Sequence, residues 1–203
     1  MTPHLFIGLG LLVFTAVVAI LVLIAELVWR RPRHPHRAAK GAQDAVTGLL
    51  VREKVLKRAN TALRRGLSRK IPATLLIAGL DHFKQVHQTH GQAVADAILQ
   101  ESATRLARAI RQDDVLGRFG DGEFILLLPR ADRRESIAVA ERLRALIASS
   151  PMRHGELAIA QTVSIGLASA PEHGTSLETL IGKAEAALRL AKHAGQDRVL
   201  GAD

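Results

Sequence analysis

Residues 118–124 read "RFGDGEF", and this short stretch decides how the chain around it folds. An Asp-Gly pair between apolar, strand-length runs, here Val115-Leu116 and Ile125 to Leu128, is a strong local signal for a hairpin whose two central residues take φ > 0. Working outward, "ATLLIAGL" (73–80) is an unbroken apolar run of strand length, as expected of a strand buried on both faces. Apolar residues recur at helical spacing over Val51 to Leu67, from Val94 to a stop near Arg111, over Glu135 to Ile147 and over Leu177 to Lys192. Leu157 to Ala168 reads as one strand and Arg198 to Leu200 as a short last one. Strands alternating with helices, with one hairpin among them, predict an α+β fold in which helices pack on a mostly antiparallel sheet.

The chain has 203 residues, room for one domain of about 160 residues and an extension. Hydrophobic residues make up 48% and aromatic residues 3%, so the core must be Leu, Ile, Val and Ala, and a stacking platform for single-stranded nucleic acid is not expected. There is no cysteine, which excludes disulfides, thiolate metal sites and cysteine nucleophiles. The net charge of +9 suggests nucleic acid until its distribution is followed. Arg30, Arg31, Arg33, Arg37 and Lys40 lie together, directly after the uncharged apolar run Leu5 to Ala25. That run is long enough to span about 30 Å of hydrocarbon, with Glu26 and Trp29 at the interface. The basic cluster then sets the topology: a short N-terminus outside, and everything after Arg30 in the cytoplasm. A cleaved signal peptide fits less well, because "MTPH" is not basic, the apolar run is too long and no small-x-small site precedes the cluster. The expectation is a single-pass inner-membrane protein anchored by residues 5–29, its basic residues free to touch anionic lipid. Pro32 and Pro35 break any continuous helix through the linker 30–43, so the anchor is a tether and not a signalling rod. Residues 44–203 form the cytoplasmic domain.

Five stretches, "DAVTGL", "LDHFKQVHQTHG", "RFGDGEF", "TVSIGLA" and "ALRLAKHAGQDRV", resemble in order the GGDEF domain of diguanylate cyclases over residues 44–200. The resemblance implies a cyclase-like sheet on which the hairpin and the loop after the first strand face GTP, two such domains meeting to make cyclic di-GMP. That reaction uses two divalent cations, Mg²⁺ in an active cyclase, held by carboxylates. The residues at the metal-carboxylate positions here are Gly79 and Gly122. Of the motif Gly120, Asp121, Gly122, Glu123 and Phe124, Glu123 keeps its acid, and Asp81 matches the second acid of the preceding motif. Asp121 is displaced by one residue, which in a hairpin turns its side chain to the other face, and it replaces a glycine that lets the nucleotide approach. No catalytic residue and no resident metal are therefore expected. Among the nucleotide contacts, Lys84, Asp96 and Lys192 match the family, His87 stands for the guanine-reading Asn, and Gln196 replaces an Arg. For Lys84 and Lys192 taken alone, solvated helix surface is the preferred reading. His82, His87 and His90 lack the i, i+4 spacing of a helical zinc site.

Outside that site, "RQDD" (111–114) matches the R-x-x-D of the family's product-binding site, with Arg111 and Asp114 as its charged pair and Arg142 as a contact supplied by a neighbouring domain. The plain alternative is an i, i+3 surface pair, worth a few tenths of a kcal/mol. Two functions remain open from sequence. One is an inactive domain that needs no cofactor and serves as a cyclic di-GMP receptor or a protein-interaction module, as a homodimer or with another GGDEF protein. The other is an active cyclase with unusual metal ligation. Nucleic acid is not an expected partner.

Overall fold

In the computed structural model of the chain, residues 42–203 are described. The elements are α1 (Arg52–Leu67), β1 (Ala73–Leu80), α2 (Phe83–Ala109), β2 (Val115–Gly120), β3 (Glu123–Pro129), α3 (Arg133–Ala148), β4 (Met152–His154), β5 (Leu157–Ile159), β6 (Val163–Ala170), α4 (Leu177–His193) and β7 (Val199–Gly201). Five strands form one sheet in the order β2-β3-β1-β6-β7, antiparallel throughout except for the parallel β6–β7 pair. The α+β expectation holds. Among the described residues no helix is long and apolar enough to cross a membrane, and the expected anchor at 5–29 lies outside them.

The central strand explains the layering. Every residue of β1 is buried, as is every residue of β6 beside it. Alternate side chains must therefore meet apolar cover on opposite faces. Leu76, Ala78 and Leu80 pack with Ile98, Leu106, Leu143 and Ile147 of α2 and α3. Leu75 and Ile77 pack with Val55 and Leu63 of α1 and with Leu180 and Leu188 of α4. Helices thus cover both faces. On one face α4 presses against Gly166 of β6, where an added Cβ would lie 2.1 Å from the Ala184 carbonyl oxygen and 2.3 Å from the Leu188 nitrogen. Only a glycine lets α4 lie this near the sheet.

Two details differ from the sequence reading. Leu157 to Ala168 is not one strand: β5 pairs with β4 in a separate two-stranded ribbon, and the main-sheet strand β6 begins at Val163. The short β4 gave no sequence signal because only Met152 of its three residues is buried. The hairpin is where it was expected, with a two-residue turn between Gly120 and Glu123, but neither Asp121 nor Gly122 has positive φ. The register instead shifts between Arg118 and Gly120, an irregularity that takes up the twist a primed turn would have supplied. Arg118 closes the turn, its Nε donating to the Gly120 carbonyl and its Nη2 to the Asp121 carbonyl.

Gly166→Ala should lower stability by about 3 kcal/mol or more, because the new methyl meets backbone that cannot step aside. Gly182→Ala, on the exposed side of α4 with nothing within 4 Å, should raise it by about 0.5–1 kcal/mol. Urea unfolding of both variants measures the contrast.

Candidate functional site

The site is built where β1 stops. Gly79 pairs with Glu123 of β3 on one side and with Ser164 of β6 on the other. Two residues on, Asp81 is buried and its carboxylate is fully engaged. Oδ1 accepts from Ser164 Oγ at 2.8 Å, and Oδ2 accepts from Thr162 Oγ1 at 2.8 Å and from the Asp197 amide at 3.0 Å. Its own carbonyl takes the Gln161 amide at 2.7 Å. Asp81 therefore ties the end of β1 to β6 and to the loop after α4.

Beside Gly79 lies the ammonium of Lys192, on the last turn of α4. A Cβ built on Gly79 would be 2.7 Å from Lys192 Nζ and 2.9 Å from its Cε, so the lysine fills the space a side chain at this position would take. Nζ is 3.9 Å from Glu123 Oε1, both side chains about one-third exposed. On the other side of the hairpin, a Cβ on Gly122 would be 2.8 to 3.0 Å from the Phe83 ring and Cβ. An aspartate at Gly79 would meet a flexible side-chain end, whereas one at Gly122 would have to push back an aromatic ring.

A divalent pair does not fit these residues. Of the carboxylates expected nearby, Glu123 faces a lysine, Asp81 accepts three hydrogen bonds from protein groups and Asp121 sits in the exposed turn outside the strand ladder. Among the described residues no group of three or more His, Asp or Glu side chains is placed to hold a metal. The arrangement is a lysine–glutamate pair, 3.9 Å apart, at the end of the central strand.

Lys84 and His87 are exposed on the first turns of α2, which is broken at Gly91; Asp96 lies beyond the break, its Oδ1 held by Gln92 at 2.7 Å. The residue that sequence reasoning missed is Arg118. Half-buried, it stacks 5.9 Å from the Phe124 ring, and Asp44, Asp121 and Asp96 all act on its charge. Burial pulls its guanidinium below the ordinary arginine range against the attraction of those carboxylates. Asp44 in turn anchors the "DAVTGL" loop by accepting from the Thr47 amide at 2.9 Å and hydroxyl at 2.7 Å. The signal for Arg118 was its place beside the hairpin, but nothing in the sequence told which face it served.

The R-x-x-D residues do converge. Asp114 is buried, and its Oδ2 accepts from the Arg111 amide at 2.7 Å while its own amide donates to the Arg111 carbonyl at 3.2 Å. The Arg111 side chain is exposed. Arg142 reaches from α3 to the same corner and donates to the Ala109 carbonyl, the C-terminal end of α2, at 2.9 Å. Within the chain its charge also acts on Asp114. Burial raises the Asp114 carboxyl above its ordinary value, opposed by the Arg111 amide and by the charges of Arg111 and Arg142.

Comparison with known proteins places this geometry in context. Residues 41–198 match the family described as "Diguanylate cyclase, GGDEF domain". The response regulator PleD of Caulobacter vibrioides is 29% identical over 168 residues, 82% of this chain and 37% of PleD. Diguanylate cyclase DgcP of Pseudomonas aeruginosa is 32% identical over 160 residues, 79% of this chain and 24% of DgcP. The chain thus spans between about a quarter and a little more than a third of the length of these relatives. Among solved structures, the GGDEF domain of DgcB from Caulobacter crescentus in complex with c-di-GMP aligns with a TM-score of 0.76 at 24% identity, covering 82% of this chain and 98% of DgcB's, a likeness of fold. Diguanylate cyclase SiaD in complex with its activator SiaC, from Pseudomonas aeruginosa, aligns with a TM-score of 0.76 at 28% identity, covering 98% of this chain and 77% of SiaD's.

The Asp114 environment gives a pH-dependent prediction. Its folded pKa lies above the unfolded value of 3.8, so in that window the folded state holds the proton more tightly and stability falls as pH rises. Asp114→Asn, which keeps an acceptor for the Arg111 amide, should remove this slope and be at least as stable as the parent at neutral pH. Asp114→Ala should cost about 1–2 kcal/mol by orphaning that amide. Denaturant melts from pH 4 to 7 measure both.

Proposed function

The chain belongs to the diguanylate cyclase GGDEF domain family, and on that premise we propose that it acts in cyclic di-GMP signalling as a membrane-tethered, catalytically silent member. Residues 1–29 are its membrane segment, 30–43 its linker and 44–203 its cytoplasmic GGDEF domain, held at the inner membrane. The observation that carries the silent reading is the Lys192 ammonium beside Gly79, in the space a metal-binding carboxylate would need. Phosphodiester formation from two triphosphates demands charge neutralisation by cations, and a lysine already near Glu123 supplies neither Lewis acidity nor an activated 3′ hydroxyl. Lys84, His87, Asp96 and Lys192 are then remnants of a nucleotide site, and Arg118 is its structural neighbour.

The binding function lies at the other end of α2. Arg111 presents an exposed guanidinium fork, Asp114 is held in fixed orientation by the Arg111 backbone, and Arg142 adds a second cation at the same corner. Such a set suits a ligand with guanine edges and phosphates together, which is the chemistry of cyclic di-GMP. The domain works as a receptor for that dinucleotide, as a homodimer or beside another GGDEF protein; a protein-interaction module without ligand is the reading that remains if binding is absent.

Calorimetry with cyclic di-GMP on the purified domain tests the receptor. Arg111→Ala should weaken binding about 30-fold to 1000-fold, through loss of a charged bidentate partner, while changing stability by no more than about 0.5 kcal/mol. Arg142→Ala should weaken it within a single domain as well. No heat and no thermal shift for the parent at hundred-micromolar ligand would leave only the interaction module.

A further inference from the structure

The connection from α4 to β7 takes a backbone path that its residue types do not favour. A helix commonly ends in one left-handed residue, usually glycine, and Gly195 is that residue here, with φ 111°. The chain then stays left-handed through Gln196 at φ 64° and Asp197 at φ 43°, a region that residues with a Cβ seldom enter. Such residues persist where the surrounding structure over-determines them, and they gather at ligand clamps and switch regions. Inside the loop, the Gln196 amide donates to the Ala191 carbonyl at 3.1 Å and Arg198 Nε to the Gln196 carbonyl at 3.0 Å. From outside it come two further bonds: the Asp197 amide donates to Asp81 Oδ2 at 3.0 Å, and Arg144 Nη1 donates to Asp197 Oδ1 at 2.8 Å. Arg144 belongs to α3, whose Leu143 and Ile147 cover the face of the sheet opposite to α4. Its Nε donates to Glu141 Oε2 at 2.8 Å, so one carboxylate orients the guanidinium while the other receives it.

We propose that Arg144 and Asp197 form a latch that controls the end of β1 from α3. Closed, as in this structure, the latch holds the left-handed loop. The loop in turn fixes the last turn of α4, with Lys192 beside Gly79, and supplies one of the three hydrogen bonds that Asp81 accepts. Opened, the loop relaxes to ordinary backbone, the last turn of α4 frays and Lys192 leaves the space beside Gly79. Opening also withdraws the Asp197 amide from Asp81 Oδ2, which keeps Thr162 Oγ1 as its donor. The strain at Gln196 and Asp197 favours release, and the charge-assisted bond from Arg144 opposes it, so a single ion pair sets the balance. This deepens the reading of Lys192 as the group that fills the site. Its readouts need no turnover, so cyclic di-GMP formation would end the silent reading without touching the latch.

Hydrogen exchange of the full chain, followed by mass spectrometry, reads the loop. Acylation of lysines by a soluble N-hydroxysuccinimide ester reads Lys192, with the exposed Lys84 as internal reference. Arg144→Ala and Asp197→Asn should each speed exchange over residues 193–198 about 10-fold and raise Lys192 labelling about threefold relative to Lys84, while exchange in β1 stays as in the parent. Combined, the two changes should open the loop no further than either alone, because both remove the same pair. Arg144→Lys, which keeps the charge without the fork, should fall between the parent and Arg144→Ala. Unchanged exchange over 193–198 overturns the proposal. So does faster exchange with Lys192 labelling unchanged, which would make the ion pair a support for the loop alone. Additive effects in the combined variant would show two separate actions and overturn it as well. If Arg144→Ala fails to fold, Asp197→Asn carries the test by itself, since asparagine keeps the backbone amide and tolerates the left-handed region.

Discussion

A strand buried along its whole length on both faces has only its ends to offer solvent, and where β1 ends determines what this domain can do. Its alternating side chains serve two separate apolar layers, so α2 and α3 must lie on one face and α1 and α4 on the other. Asp81 then fixes the strand end by accepting three hydrogen bonds from β6 and the loop after α4. That lock brings the last turn of α4 over Gly79, and Lys192 with it. The geometry of the site follows from packing laid down well before any ligand is considered.

Gly79, near the end of the central strand, has no side chain to fill the layer beside it. It leaves space in a layer where α4 is already pressed close at Gly166, and the neighbouring lysine takes that space with its charge near Glu123. The two glycines are not equivalent. Lys192 can swing away from Gly79, whereas Phe83 against Gly122 belongs to the apolar packing of α2. A carboxylate at Gly122 is thus harder to accommodate than one at Gly79, because an aromatic ring and its contacts must move together.

The sheet was legible because its central strand is wholly apolar and its helices keep a 3.6-residue period over three or more turns. β4 was missed because a three-residue strand with two exposed side chains carries neither alternation nor a run, and β5 was read as the start of β6 because composition does not mark the break between them. The hairpin was read correctly in place and wrongly in detail, since the register shift at Arg118 relieved the turn of any need for positive φ. In the site, the identities Gly79 and Gly122 were plain in the sequence, but what fills the space beside them was not: Lys192 and Phe83 come from α4 and α2, and only tertiary packing brings them there.

The central claim is that the lysine at the end of β1 stands where cation chemistry would have to occur. Incubating the purified chain with GTP and either Mg²⁺ or Mn²⁺, and following cyclic di-GMP by chromatography, tests it most directly. The account predicts no product, a rate at least about a thousandfold below that of a metal-dependent cyclase. Steady formation of cyclic di-GMP by the unaltered chain, at a rate ordinary for such an enzyme, would contradict it.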